Sequence, residues 1–231
     1  MKLSEQISNW LSKYLNKHEL GSFIIGISGG IDSAVVSTLC AMTGHHTIVV
    51  IMPINQNQSE TDRGRLHCEW LSKKYSNVQI FEKDLSTIYE EIVNLFPPTY
   101  SQLSLANSKA RIRMMSLYLI ASNHKGIVVG TGNKVEDFGI GFFTKYGDGG
   151  VDICPIADLL KTEVYELARE FKIIDSILLA EPTDGLWEDR RTDYDQIGLS
   201  YGKIEWAMNY CENNDMKNID TLSDEQKNIL K

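Results

Sequence analysis

Between Gly26 and Ala34 the chain reads Gly-Ile-Ser-Gly-Gly-Ile-Asp-Ser-Ala, residue types suited to holding phosphate. The adjacent Gly29 and Gly30 permit positive φ and close backbone approach, so successive N–H groups can converge on an anion. Ser28 and Ser33 add hydroxyl donors, and a helix beginning behind them would aim its positive end at the same point. Asp32 is out of place beside an anion unless a divalent cation bridges it to the phosphates. Mg²⁺ held by one or two carboxylates plus substrate phosphates is the usual arrangement. An ordinary strand-to-helix turn with a Ser or Asp cap would explain a Gly-Gly pair, but not the full Ser-Gly-Gly-x-Asp-Ser string. The string is neither a Walker A loop nor the G-x-G-x-x-G fingerprint.

Such a loop needs a buried strand before it and a helix after it, and the surrounding pattern supplies both. Phe23 to Ile27 is a short apolar run, and a helix is expected from Asp32 to about Met42, with Gly44 as its stop. Thr47–Met52, Val78–Phe81 and Gly126–Gly130 read as further strands. Helices are expected from Ser59 to about Tyr75, Leu85 to Phe96, Ser104 to Asn123 and Lys161 to Phe171. The Ser104–Asn123 helix places Leu105, Ile112, Met115, Leu119 and Ile120 on one side. Alternation of this kind predicts an α/β fold, a doubly wound parallel sheet flanked by helices, with its ligand at the carboxyl ends of the strands. Gly132–Gly150 and Leu179–Asp195 read as polar loops, the second with Trp187 as its one large apolar anchor, and about 200–231 as a helical C-terminal part. The whole 1–231 span is expected to be one domain.

Three further stretches carry chemistry. Asn107 and Arg111 are four apart on one helix face, able to engage a carboxylate, amide or phosphate, while Arg113 points elsewhere. A solvated basic face is the plainer account of those two residues. The run from Gly130 and Thr131 to Asp152 starts at a strand end, where a ligand would sit. Glu136 or Asp137 could supply a second metal carboxylate, and Lys145, Asp148 and Asp152 could bind a charged, hydroxyl-bearing substrate. Lys161, at a helix start, places a mobile cation near the phosphates, with capping at Thr162 as the competing account of that position.

Composition excludes several classes. A net charge of -8 argues against a general nucleic-acid binder. The N-terminal Leu3, Ile7, Trp10, Leu11, Tyr14 and Leu15 recur at helical spacing without a long apolar core, so Met1–His18 is an amphipathic helix and neither a signal peptide nor a membrane segment. Cys40, Cys68, Cys154 and Cys211 form no C-x-x-C pair and read as buried thiols of a cytoplasmic protein.

The Ser28–Ser33 string resembles that of the ATP pyrophosphatases, which cleave ATP between its α and β phosphates. NAD synthetases, GMP synthetase, asparagine synthetase and tRNA-modifying enzymes share it. From about Gly26 to Tyr201 the chain resembles the NAD synthetase family specifically. That resemblance is carried by Asn107-x-x-x-Arg111-x-Arg113-Met114, by Phe142-Phe143-Thr144-Lys145-Tyr146-Gly147-Asp148-Gly149-Gly150-Val151-Asp152, and by Glu181-Pro182-Thr183 leading to Trp187 and to Asp195–Tyr201. It implies ATP and Mg²⁺, amidation of deamido-NAD by ammonia, and a homodimer. It assigns Gly26, Ser28, Gly29, Gly30, Asp32, Ser33, Thr131, Lys161 and Thr183 to ATP, and Asp32 and Glu136 to metal. Asn107, Arg111, Lys145, Asp148 and Asp152 fall to the dinucleotide, with Asp32, Lys161 and Asp148 as the residues of the chemistry. The chain departs from the family pattern by one extra residue between Gly130 and Gly141, by Ala106 in place of a frequent glycine, and by ending at Lys231 without the basic, proline-containing tail of many members. A glutamine amidase would need its own domain, and little precedes the phosphate loop, so free ammonia, or ammonia from a separate partner, is the expected nitrogen source. Rival readings are an enzyme amidating or thiolating another adenylated substrate, and an ATP-binding module without turnover. Pyrophosphate release separates the last from an enzyme.

Overall fold

The computed structural model describes residues 1–56, 58–97, 99–183, 192–214 and 219–230. Four short strands form the sheet: β1 (Ser22–Gly26), β2 (His46–Ile51), β3 (Val78–Glu82) and β4 (Gly126–Val128). All pairings are parallel and the order is β3-β2-β1-β4. The chain therefore builds outward from β1 to β2 and β3, then crosses back to place β4 on the other side of β1. The gap between the ends of β1 and β4 is the topological switch point, where doubly wound sheets hold their ligands.

Strand residues alternate between two apolar layers, as the two-residue period requires. Phe23, Ile25, Val49 and Ile51 face a core shared with α1 (Leu3–Lys17), α2 (Ile31–Met42), α3 (Gln58–Lys74), α6 (Lys161–Phe171) and α7 (Asp175–Leu178). Ile24, Ile48, Val50 and Val128 face the opposite core, covered by α4 (Ser86–Asn94) and α5 (Gln102–Asn123). Leu11 and Leu15 of α1 are completely buried in the first of these cores, so the N-terminal helix belongs to the fold. Continuous apolar strands such as Phe-Ile-Ile are what burial on both faces demands.

The α5 expectation is corrected. Its inward residues are Ala106, Lys109, Ala110, Ile112, Met114, Leu117 and Ala121, while Met115 and Leu119 are 61% and 74% exposed. Small alanines let the helix lie close on the sheet; of the residues expected beside Ile112, Ile120 packs against the core while Met115 and Leu119 point outward.

The Gly132–Gly150 loop contains an ordered π-helical turn, Val135–Ile140, closed by Gly141 in the left-handed region. A π turn widens each turn to i→i+5, which absorbs one added residue without shifting its flanks. In the Leu179–Asp195 loop, α8 (Asp193–Ile197) already begins. Trp187 lies outside the described residues. The C-terminal part is helical as expected, with α9 (Tyr201–Asn214), a 3-10 turn (Ile219–Thr221) and α10 (Asp224–Ile229). Of the cysteines, Cys40 and Cys68 are buried thiols as expected, Cys154 is half-buried and Cys211 is exposed. No helix among the described residues is long and apolar enough to cross a membrane.

Candidate active site

The turn from β1 into α2 is shaped by its glycines and serines. Gly29 has φ +87°, and a side chain there would collide with the backbone oxygen of Glu60 on α3. Only glycine serves. Ser28 Oγ accepts from Gly30 N at 3.1 Å, and Ser33 Oγ donates to Gly30 O at 3.0 Å. Gly30 is the N-cap of α2 with no side-chain cap bond, so the first N–H groups of α2 open toward the sheet end.

At this point Asp32 meets residues brought from far along the chain. Lys161, the first residue of α6, donates from Nζ to Asp32 Oδ2 and to Glu136 Oε1, each at 2.7 Å. Lys161 is only 3% exposed, so its charge is committed to this pair. Asn133, fully buried, donates from Nδ2 to Asp32 Oδ1 at 3.0 Å, while its Oδ1 accepts from Val135 N and Glu136 N at 3.1 Å each. One amide thus fixes Asp32 and starts the π turn that presents Glu136.

Burial dominates the titration of this group. It pushes Asp32 above the ordinary carboxylate value, against the charge of Lys161 and with help from Glu136. Glu136 also suffers desolvation, but Lys161 and its hydrogen bonds hold it below the ordinary value. Lys161 is desolvated too, yet the two carboxylates raise its pKa, so it stays charged. One cation faces two acids and the trio carries net negative charge, a place for a further cation beside the phosphate loop. The donor set is two hard carboxylates, and no group of three His, Cys, Asp or Glu among the described residues makes a closed metal cage. That fits Mg²⁺, which keeps waters and takes substrate phosphates as its remaining ligands.

Of the two acids left open as the second metal carboxylate, Glu136 faces Asp32 across Lys161, whereas Asp137 lies against Gly132, where a side chain would strike its carboxylate. Burial, then Glu136, Asp148 and Asp32, push Asp137 up to about 6.

These groups line a cavity of about 580 Å³. Gly26, Ser28, Gly29, Gly30, Asp32, Ser33, Asn107, Thr131, Glu136, Asp148, Lys161 and Thr183 all reach it. Thr144 ties two of them together, donating from Oγ1 to Asn107 Oδ1 at 2.7 Å and from N to Asp148 Oδ1 at 3.1 Å. Arg111 and Lys145 do not line the cavity. They join outside it, Arg111 Nε donating to Lys145 O at 3.1 Å. Asp152 does not line the cavity either: its Oδ2 accepts from Val128 N at 2.9 Å and its Oδ1 from Tyr118 OH at 2.8 Å, which fastens the glycine-rich loop to β4 and α5. Thr162 does not cap α6; Leu160 holds that position, and the Thr162 N and Oγ1 groups both donate to Glu205.

Sequence reasoning passes over Asn133 and misplaces Arg113. Arg113 lines the cavity and is anchored by Met52 O and Gln56 Oε1, each at 2.9 Å, with burial lowering its pKa to about 10. The signal for it is the i, i+3/i+4 stripe Leu103, Asn107, Ala110, Arg113 or Met114, Leu117, which faces the cavity. For Asn133 it is an Asn following a glycine at a strand end, the setting of an Asx turn.

A parallel sheet with a glycine-built anion loop at its switch point, and two carboxylates bracketing a lysine there, defines a nucleotide-using α/β enzyme of the doubly wound class. The particular family follows from comparison with known proteins: the NAD synthase family model matches residues 3–229, and the chain belongs to that family of ligases, which form a C–N bond. The NH(3)-dependent NAD(+) synthetase of Finegoldia magna is 34% identical over 210 residues, covering 90% of this chain and 84% of its own. Among solved structures, the NMN synthetase of Francisella tularensis superposes with a TM-score of 0.85 at 32% identity, covering 99% and 90% of the two chains. The NH3-dependent NAD synthetase of Campylobacter jejuni, in complex with nitrate, gives 0.78 at 26% identity, covering 99% and 91%.

Proposed function

We propose that the protein makes NAD from deamido-NAD, using ATP to activate the nicotinate carboxylate and ammonia as the nitrogen source. The observation that carries this reading is the Asp32–Lys161–Glu136 group at the mouth of the Gly29-Gly30 loop. The carboxylate oxygen of the substrate bonds to the α-phosphorus and pyrophosphate leaves. Ammonia then bonds to the carbonyl carbon of the mixed anhydride, AMP leaves, and the nitrogen sheds a proton. The loop N–H groups with Ser28 and Ser33 hold the phosphates, Lys161 turns toward the leaving pyrophosphate, and Thr131 and Thr183 line its path. Asp32 and Glu136 would hold a Mg²⁺ ion, which would supply charge neutralisation to the phosphates. Asn107 and Asp148, joined through Thr144, face the nicotinate end, and Asp148 is placed to steady an ammonium ion and take its proton. Arg111 and Lys145 receive the outer part of the dinucleotide at the cavity rim. Ammonia as donor is supported by the names of the relatives, and scattered unpaired cysteines support a cytoplasmic setting.

The likeness to an NMN synthetase supports a second reading, in which the same chemistry amidates nicotinate mononucleotide. One assay tests both: pyrophosphate release from ATP and Mg²⁺, with and without ammonium, offering each acid in turn and following the amide product by mass. Ammonium-dependent NAD with equal AMP and pyrophosphate is the expected result. A kcat/KM higher for the mononucleotide would favour the second reading, and no turnover with either would refute both. Asp32→Ala is expected to lose at least about 100-fold in pyrophosphate release; retained activity would refute its assignment to the metal.

A further inference from the structure

α9 lies against both elements that deliver the site's charged groups. Tyr201, its first residue, stands with its hydroxyl 2.7 Å from Glu136 Oε1 and 2.6 Å from Asp193 Oδ2 on α8. One turn on, Glu205 accepts from Thr162 N at 3.0 Å and from Thr162 Oγ1 at 2.9 Å, holding the first turn of α6 beside Lys161. Further along, Met208 packs so close to Gly139 that a Cβ on that glycine would stand 2.6 Å from Sδ, and Glu212 pairs with Lys134 at 2.7 Å. The π turn is thus gripped along its length by one face of α9. The Tyr201 ring lies 5.0 Å from Lys161 Nζ, so this one side chain touches both Glu136 and the lysine that bridges it to Asp32.

The proposed reaction gives Tyr201 no role, and the phosphates need none from it. We infer that Tyr201, its one hydroxyl proton shared between the Glu136 and Asp193 carboxylates, is a positioning residue that holds Glu136 in the orientation a metal ion requires. This rests on the reading of Asp32 and Glu136 as the metal carboxylates. The physical case is one of geometry. A glutamate on a six-residue π turn has a mobile side chain. Asp32 is held by Asn133 as well as Lys161, and keeps that anchor when the lysine turns toward phosphate. The Glu136 carboxylate takes its side-chain bonds from Lys161 and Tyr201, both on Oε1, while the Asn133 Nδ2 group is given to Asp32. When Lys161 leaves, the short 2.7 Å bond from Tyr201 is therefore the main restraint on Glu136. Hydrogen-bonding partners behind metal-ligating groups are worth about 10- to 100-fold in metal affinity.

Tyr201→Phe keeps the ring over Lys161 and removes only the hydroxyl. The test is calorimetric binding of α,β-methylene-ATP to the full-length protein, without divalent metal and across a Mn²⁺ series. Metal-free affinity is expected to stay within about twofold of wild type, while the Mn²⁺ concentration that half-saturates the tightening rises by about 10- to 100-fold. The spectrum of bound Mn²⁺ in electron paramagnetic resonance gives a second readout independent of turnover, and should change in the variant. Equal Mn²⁺ dependence in both proteins would overturn the inference and leave the metal assignment standing. So would a variant that has lost metal-free binding as well, since a general disturbance would then account for it. A wild-type protein whose nucleotide affinity ignores Mn²⁺ would instead overturn the metal assignment itself.

Discussion

His67 shows how much a single buried side chain can bear on this fold. It sits on α3 with no exposed surface, its Nε2 2.8 Å from Ser37 Oγ on α2, the helix behind the phosphate loop. The Ser37 hydroxyl donates to Ala34 O at 3.1 Å, so its oxygen is left to accept, and the imidazole must carry its proton on Nε2. Among the described residues Nδ1 then has no partner, and burial pulls the pKa down to about 4. In the unfolded chain the same ring titrates near about 6.5. As pH falls from that value toward 4, the unfolded state takes up a proton that the folded state refuses. The stabilisation from a neutral His67 is therefore complete above about 6.5 and is lost as pH falls to about 4, to the extent of roughly 3 kcal/mol. Urea denaturation of wild type and His67→Gln at about pH 7.5 and about pH 4.5 should show the wild type losing more, by most of that amount. Parallel pH slopes would mean that the ring protonates in place. The Asp32–Lys161–Glu136 trio behaves differently: the two carboxylates keep Lys161 charged and Lys161 holds Glu136 below the ordinary value, while burial still pushes Asp32 up.

At the scale of elements, the turn between β1 and α2 is where backbone conformation and function coincide. Gly29→Ala would put a methyl group at φ +87° against the Glu60 carbonyl, a rigid backbone atom that only a shift of α3 could relieve. Gly30→Ala meets only Ser28 Oγ, at 3.2 Å, and at a φ of -92° that any residue adopts. Gly29→Ala should therefore cost several kcal/mol and abolish nucleotide binding, while Gly30→Ala should cost about 1 kcal/mol or less; melting temperatures and nucleotide affinity of the pair decide it. This loop is legible in the sequence because glycines between a buried strand and a helix mark a backbone that other residues cannot follow. The strands are legible for a related reason, since Phe23–Ile25 and Thr47–Ile51 are apolar or β-branched throughout, as strands covered on both faces must be. The π turn is not, because no residue preference encodes an i→i+5 hydrogen bond; the sequence offers only an extra residue and two adjacent acids, and packing against α9 selects Glu136. The inward face of α5 is hidden because that helix carries apolar residues around its whole circumference, and three alanines are buried beside Ile112, Met114 and Leu117 while Met115 and Leu119 stay exposed. Asp152 looks like a ligand because acids in glycine-rich loops often are. Its bonds to Val128 N and Tyr118 OH depend on a tertiary approach that linear spacing does not reveal.

For the whole molecule, the outward face of α5 sets a problem that one chain does not solve. Met115 and Leu119, one turn apart, are 61% and 74% exposed. Large apolar residues exposed together on one helix face mark an interaction surface. Arg111 lies on the same helix, joined to Lys145 at the cavity rim. A two-fold dimer that packs α5 against its copy would cover the apolar residues and bring two rims together, so that the outer part of a dinucleotide would be held between chains. Leu119→Glu places a charge on that face and removes nothing from the cavity, which Leu119 does not line. Sedimentation equilibrium should find wild type at twice the chain mass and Leu119→Glu at the chain mass. If the interface completes the site, KM for deamido-NAD should rise by about 10-fold or more, while KM for nicotinate mononucleotide, which lacks the outer nucleotide, should change far less. The loss is expected in affinity because binding the outer nucleotide stabilises substrate and transition state alike. A monomeric wild type, or a monomeric variant with unaltered KM for the dinucleotide, would separate the apolar face from substrate recognition and require another partner to cover it.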